Sequence, residues 1–213
     1  VIKLLYELVD NQSESILEFV GEISNFAFQI YQLDIDEETN KSSIDTISLI
    51  FFNLDLDISF VLNFLPNLIQ SYQEAQIYLK PSIMQCISSC IENCREDSEL
   101  FADDLLPIVY QGSQSTSESE IDDKAFCIEA LGYFLSFIPK KCEEIYEESI
   151  AIILAAASDE NFLLRSIGIN SLINIIKFGQ GDLPYDFTQY AIEVAVNALG
   201  MKLPEDDGMY AED

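Results

Sequence analysis

The chain has 213 residues, with 10 Lys and Arg against 38 Asp and Glu, a formal charge of −28, and no histidine. Such a surface repels phosphate backbones and anionic lipid, so direct nucleic-acid binding and membrane insertion are not expected. Catalysis that needs His as a base, and His-ligated zinc, are excluded outright. Yet 49% of the residues are hydrophobic, too many for a disordered acidic tail. A folded chain with basic partners is the expectation.

The length allows one or two domains. Five cysteines, Cys86, Cys90, Cys94, Cys127 and Cys142, form an odd set without a secretory framework. No charged-then-apolar leader follows Val1, and the densest apolar runs, 46–52 and 150–157, fall well short of a bilayer span. These features predict a soluble intracellular segment, with reduced thiols, that begins inside a larger fold.

In chain order, apolar residues recur with helical spacing over 1–9, 14–32, 42–54, 58–73, 79–94, 100–112, 122–138, 144–158, 161–178 and 185–200. Ile83, Ile87, Ile91 and Cys94 line one helix face, and Cys127, Leu131, Phe134 and Ile138 another. No sustained strand alternation occurs, and the connections are short and polar, as at Asp55-Leu56-Asp57 and Ser158-Asp159-Glu160-Asn161. Gly179 follows the last apolar residue, Phe178, and reads as a helix stop rather than part of a phosphate cradle. An all-α fold follows.

The helices repeat in pairs. The stretch Phe64-Leu65-Pro66 through Gln73 aligns with Leu105-Leu106-Pro107 through Gln114 at an offset of 41 residues, and a second helix follows each. A two-helix unit of about 40–47 residues is the signature of HEAT and armadillo repeats. One hairpin cannot bury both of its apolar faces, so successive hairpins stack. The expected architecture is a right-handed α-solenoid of antiparallel helix pairs, about four to five HEAT repeats over residues 1–200, with 201–213 an acidic flexible segment.

The segment Ser158 to Leu172 resembles the HEAT turn and second helix, with Asp159, Arg165, Gly168 and Leu172 matching the pattern. That resemblance gives Asp159 and Arg165 a structural role, laddering between repeats, and Pro66 and Pro107 mark equivalent points of two units. More specifically, Leu79-Lys80-Pro81-Ser82-Ile83-Met84, Leu105-Leu106-Pro107, the acidic loop 117–123 and the helix ending at Ser158-Asp159-Glu160 resemble, in order and spacing, the C-terminal half of the importin-β (karyopherin-β) family over roughly residues 40–180. The chain departs from that family in having no Trp and in its acidic end, Glu205 to Asp213. The resemblance implies a nuclear transport receptor, moving between cytoplasm and nucleus. It would bind basic nuclear localisation signals or the basic arm of an importin-α adaptor, respond to Ran-GTP, and contact Phe-Gly nucleoporins.

Within such a solenoid the second helices line the concave side. Polar stripes there run through Ser166, Asn170, Asn174 and Lys177, through Glu129, Tyr133 and Ser136, and along Lys80, Glu92 and Asn93. Glu92, Glu129, Asn170 and Asn174 are the candidates for holding a basic segment by charge-assisted hydrogen bonds; an ordinary solvated face is the plainer reading. Cys86-x₃-Cys90-x₃-Cys94 lacks metal-site spacing and reads as core. No cofactor, metal or catalytic residue is assigned. A scaffold outside transport, such as a phosphatase or chromosome-organising subunit, is the alternative of the same fold; a carboxylate-based hydrolase is the remote one.

Overall fold

The computed structural model describes residues 1–11, 13–54, 56–179, 193, 194 and 196. Nine α-helices follow one another among them: α1 (Ile2–Asn11), α2 (Val20–Gln32), α3 (Glu37–Asn53), α4 (Ile58–Glu74), α5 (Lys80–Cys94), α6 (Ala102–Ser113), α7 (Ile121–Phe137), α8 (Tyr146–Ala157) and α9 (Phe162–Phe178). Short 3₁₀ turns precede several of them, at Ser13–Phe19, Arg95–Phe101, Glu118–Glu120 and Glu143–Ile145. The expected helix at 185–200 and the segment 201–213 lie outside the described residues, apart from Glu193, Val194 and Val196, which are helical.

Local chemistry explains where the helices begin. The carboxylate of Asp36 accepts from Thr39 N at 2.8 Å, that of Asp57 from Ser59 N at 2.8 Å, and the amide oxygen of Asn161 from Leu164 N at 3.1 Å. Each satisfies a backbone donor that the first turn leaves free. Pro81 opens α5, where a missing N–H costs nothing. Pro66 and Pro107 lie inside α4 and α6, on their exposed sides, where water can reach the carbonyls that proline leaves without a donor.

The helices form two layers. The odd helices stack directly, α1 on α3, α3 on α5, α5 on α7 and α7 on α9, while each even helix packs on the odd helix that follows it. No even helix packs extensively on another even helix. The odd helices thus form a continuous layer, termed inner below, and the even helices a second, outer one. The hairpins α2–α3, α4–α5, α6–α7 and α8–α9 are the expected units. One apolar core runs the length of the ribbon, from Ile2 through Leu68, Ile87 and Phe134 to Ile175, and all five cysteines are buried. A small second cluster, including Val9, Val20 and Leu54, fills the N-terminal edge. No helix among the described residues is long and apolar enough to cross a membrane.

Candidate functional site

The free side of the odd helices carries a groove of about 520 Å³ that crosses four repeats. Tyr6 of α1 is at one end and Leu163 of α9 at the other. Between them α3 contributes Lys41, Asp45, Leu49 and Phe52, α5 contributes Ser82, Gln85 and Ser89, and α7 contributes Asp122 and Phe126. A second depression of about 480 Å³ adjoins it through Phe52 and is walled by Glu92, Asn93 and Arg95. Phe52 is 67% exposed, an apolar ring offered to whatever enters.

The carboxylates of this face are poorly compensated. Asp45 is half-buried; burial raises its carboxyl pKa, against a hydrogen bond from Ser82 and the charge of Lys41. Glu129 accepts a hydrogen bond from Ser88 Oγ at 2.9 Å, yet burial and the nearby charge of Glu92 still raise its pKa. Burial also pushes the Tyr133 hydroxyl up, reinforced by the charges of Glu129 and Glu92, and that hydroxyl hydrogen-bonds Glu92. Lys41 is the cation among the groove's lining residues. A half-buried carboxylate without a counter-charge keeps its desolvation penalty until a cation arrives.

Of the four residues singled out from sequence, Glu92 and Glu129 come together between α5 and α7, joined by Tyr133 and Ser88. Asn170 and Asn174 lie on α9, each 41 residues beyond a position of that cluster, Asn170 exposed and Asn174 half-exposed; of the four candidates only Glu92 lines one of the two depressions. Parts of the expected stripes are turned elsewhere. Ser136 is fully buried and donates back to Gly132 O at 2.7 Å. Asn93 is a staple: its amide donates to Phe51 O at 3.3 Å and Leu54 O at 2.5 Å and accepts from Leu56 N at 3.3 Å, tying α5 to the end of α3. Lys80 sits 5.1 Å over the ring of Tyr72 on α4, whose hydroxyl donates to buried Asp123 at 2.8 Å.

Asp159 and Arg165 meet through the backbone. Arg165, buried, donates from Nη1 to the carbonyls of Asp159 at 3.0 Å and Glu160 at 3.2 Å, while the Asp159 carboxylate accepts from Asn161 N at 2.7 Å. Their hydrogen bonds thus close the α8–α9 turn of their own repeat. Asp45, Phe52, Gln85, Asp122 and Phe126 were not foreseen as lining residues. Asp122 was legible, since it stands 41 residues after Pro81 and 41 before Leu163, both of which line the groove.

No family model matches the chain, and no curated protein does. A solved structure is similar: a designed armadillo repeat protein, in complex with the peptide (KR)4, superposes with a TM-score of 0.58 at 16% identity, over 93% of this chain and 82% of that one. The likeness and the stacked hairpins together make the chain an all-α solenoid of the armadillo and HEAT type.

Proposed function

We propose that the chain is a non-enzymatic protein-binding scaffold whose odd-helix groove receives a Lys/Arg-rich extended segment. The observation that carries this reading is a set of carboxylates on the inner helices, Asp45 and Asp122 lining the groove, Glu92 the adjoining depression and Glu129 beside Glu92, with the rings of Phe52 and Phe126 between them; of these, Asp45 and Glu129 bear a burial penalty. Carboxylates accept charge-assisted hydrogen bonds, and aromatic rings hold the long aliphatic stems and guanidinium faces of such side chains. The designed armadillo protein of similar fold was solved with a basic peptide, which supports this choice of ligand class.

Within that reading, the order and spacing of the Leu79–Met84, Leu105–Pro107 and Ser158–Glu160 segments support an importin-β-like transport receptor. Its basic ligand would be a nuclear localisation signal or the arm of an importin-α adaptor. Ran-GTP would release it, Phe-Gly nucleoporins would contact the outer helices, and the protein would pass between cytoplasm and nucleus. Fluorescence anisotropy with a labelled alternating Lys/Arg octapeptide, and a Glu/Ser octapeptide as control, tests the groove. Saturable binding of the basic peptide alone, weakened by D45N/E92Q/E129Q, is expected; equal binding by that variant would overturn the assignment. Capture of the importin-α arm that is indifferent to Ran-GTP would leave a basic-peptide scaffold outside transport.

A further inference from the structure

From the last residue of α6 to the first turn of α7 runs Ser113-Gln114-Ser115-Thr116-Ser117-Glu118-Ser119-Glu120-Ile121-Asp122-Asp123. The five hydroxyls of this run differ in ways that single out one. Ser113 is buried and donates to Tyr110 O at 2.8 Å. Ser115 is half-buried and donates to Glu120 Oε2 at 2.7 Å. Thr116 is exposed but has a serine, not a carboxylate, three residues on. Ser119 is exposed, but the acid three residues beyond it, Asp122, is fixed in the first turn of α7.

Ser117 is held more lightly, by a 3.3 Å hydrogen bond from its own N–H to Ser115 Oγ, and its acidic neighbours precede α7. It is exposed, its backbone is extended at φ −79° and ψ 125°, and it is followed by Glu118 at the first position and Glu120 at the third. Its hydroxyl shares a 2.9 Å hydrogen bond with that of Ser119, also exposed. Glu120 N donates to Ser117 O at 3.1 Å and folds the next three residues onto it, ahead of α7, so straightening them into an enzyme's cleft breaks that bond and the Ser115–Glu120 bond and leaves α7 intact.

We propose that Ser117 is a phosphorylation site for a protein kinase that selects acidic residues after its target, with a nucleoside triphosphate as donor. A kinase with a basic substrate cleft discriminates by pairing such carboxylates. In the transfer, Ser117 Oγ forms a bond to the γ-phosphorus while the bond from that phosphorus to the β–γ bridging oxygen breaks. The bridging oxygen leaves with the electron pair on the nucleoside diphosphate, and the hydroxyl proton passes to the kinase's own base. The product places about −1.5 to −2 further charge five residues before Asp122 of the groove. Phosphorylation therefore strengthens the field that attracts a basic segment.

The test uses the full chain, an acid-directed kinase and ATP, with site assignment by mass spectrometry. One phosphate on Ser117 is expected, absent from S117A and retained in S119A. E118Q/E120Q should slow transfer about tenfold, the equivalent of one charge-assisted hydrogen bond. No incorporation, incorporation mainly on another residue, or a rate unchanged in E118Q/E120Q would overturn the site; circular dichroism of each variant separates these outcomes from misfolding. The consequence rests on the groove reading and is read separately. The phosphorylated chain should bind the Lys/Arg octapeptide more tightly at low ionic strength and lose that gain near 1 M salt, where the Debye length is about 3 Å. A phosphorylated chain and an unmodified one that both ignore the peptide would sink the groove assignment and leave the modification site standing. Equal affinity of both forms at low salt would sink the regulatory consequence alone.

Discussion

Replacing Gly168 by alanine should unfold the α8–α9 hairpin at a lower temperature, although alanine is the better helix former. Gly168 sits in the interior of α9 and is buried where that helix crosses the end of α8. A Cβ there would collide with Ala157 N and stand 2.8 Å from both Ala156 C and Ala157 Cα. All three are backbone atoms, so no side chain can swing away and the helices must separate. Helix propensity favours the change by about 1 kcal/mol. Overpacking costs about 1–3 kcal/mol, and contact with rigid backbone puts this site at the upper end. The net expectation is about 2 kcal/mol of destabilisation, or about 4–8 °C in Tm at this chain length. Gly21 is the internal control. It lies in α2, and a Cβ there meets only Phe60 Cε2 at 3.9 Å, so G21A should gain about 0.4–1 kcal/mol. Differential scanning calorimetry of the wild type, G168A and G21A measures both. A G168A melting point equal to or above that of the wild type would refute the argument, because propensity would then outweigh the crossing.

N93A removes three hydrogen bonds that join α5 to the end of α3, and should lower the urea unfolding free energy by about 3 kcal/mol; a loss below about 0.5 kcal/mol would show that water replaces them. Burial raises the carboxyl pKa of Asp45, Asp123 and Glu129 in the folded chain. Their contribution is therefore fully present below the unfolded values near 3.8 and 4.5 and is lost as pH rises through the folded values, so the urea midpoint should fall on going from mildly acid to neutral pH. The exposed caps Asp36 and Asp57 have lowered values and work the other way, losing their contribution only as pH drops through those values, below 3.8. All five cysteines are buried and the thiols of Cys94 and Cys142 are pushed up to about 12, so an aromatic disulfide reagent should find none of them in native protein and all five in denaturant. Fast reaction of any thiol in the native state would contradict that packing.

The pairing of helices was legible because it rests on apolar spacing and on one repeated Leu-Pro unit, both of which are properties of the chain alone. The boundaries were less so. The expected helix at 42–54 begins at Glu37, because Asp36 caps Thr39 and Glu37 and Glu38 favour the positive end of the helix. The acidic run Asp36-Glu37-Glu38 is thus itself the helix start. The expected helix at 14–32 is broken at Phe19, which has no side chain to cap α2, and the chain passes through a 3₁₀ turn first. At the site, the 41-residue offset sets Ser88 against Glu129 and Glu92 against Tyr133, which brings Glu92 and Glu129 to the same cluster. It did not tell which polar residues on them would be used up by backbone, as Asn93 and Ser136 are. That choice depends on how one helix crosses the next, which is a tertiary quantity.

The charge of −28 divides into two populations with different physics. Asp103 and Asp104 on α6 and Glu147 and Glu148 on α8 lie in the first turns of outer helices, exposed, where they complement the helix dipole and are screened by salt. Their long-range field can speed the approach of a basic segment but holds nothing in place. Asp45 and Glu129 face the inner side, half-buried, and each already bears a desolvation cost. A cation set beside them offsets a cost that the outer carboxylates never incur, so these two govern how long a bound segment stays. Neutralising them should raise the dissociation rate of a basic peptide with little change in its association rate. Neutralising Asp103, Asp104, Glu147 and Glu148 together should lower the association rate at low salt and leave dissociation alone. Stopped-flow traces of the two variants decide the matter: if both sets change only association, Asp45 and Glu129 act as distant charge, and the inner face is not where the segment rests.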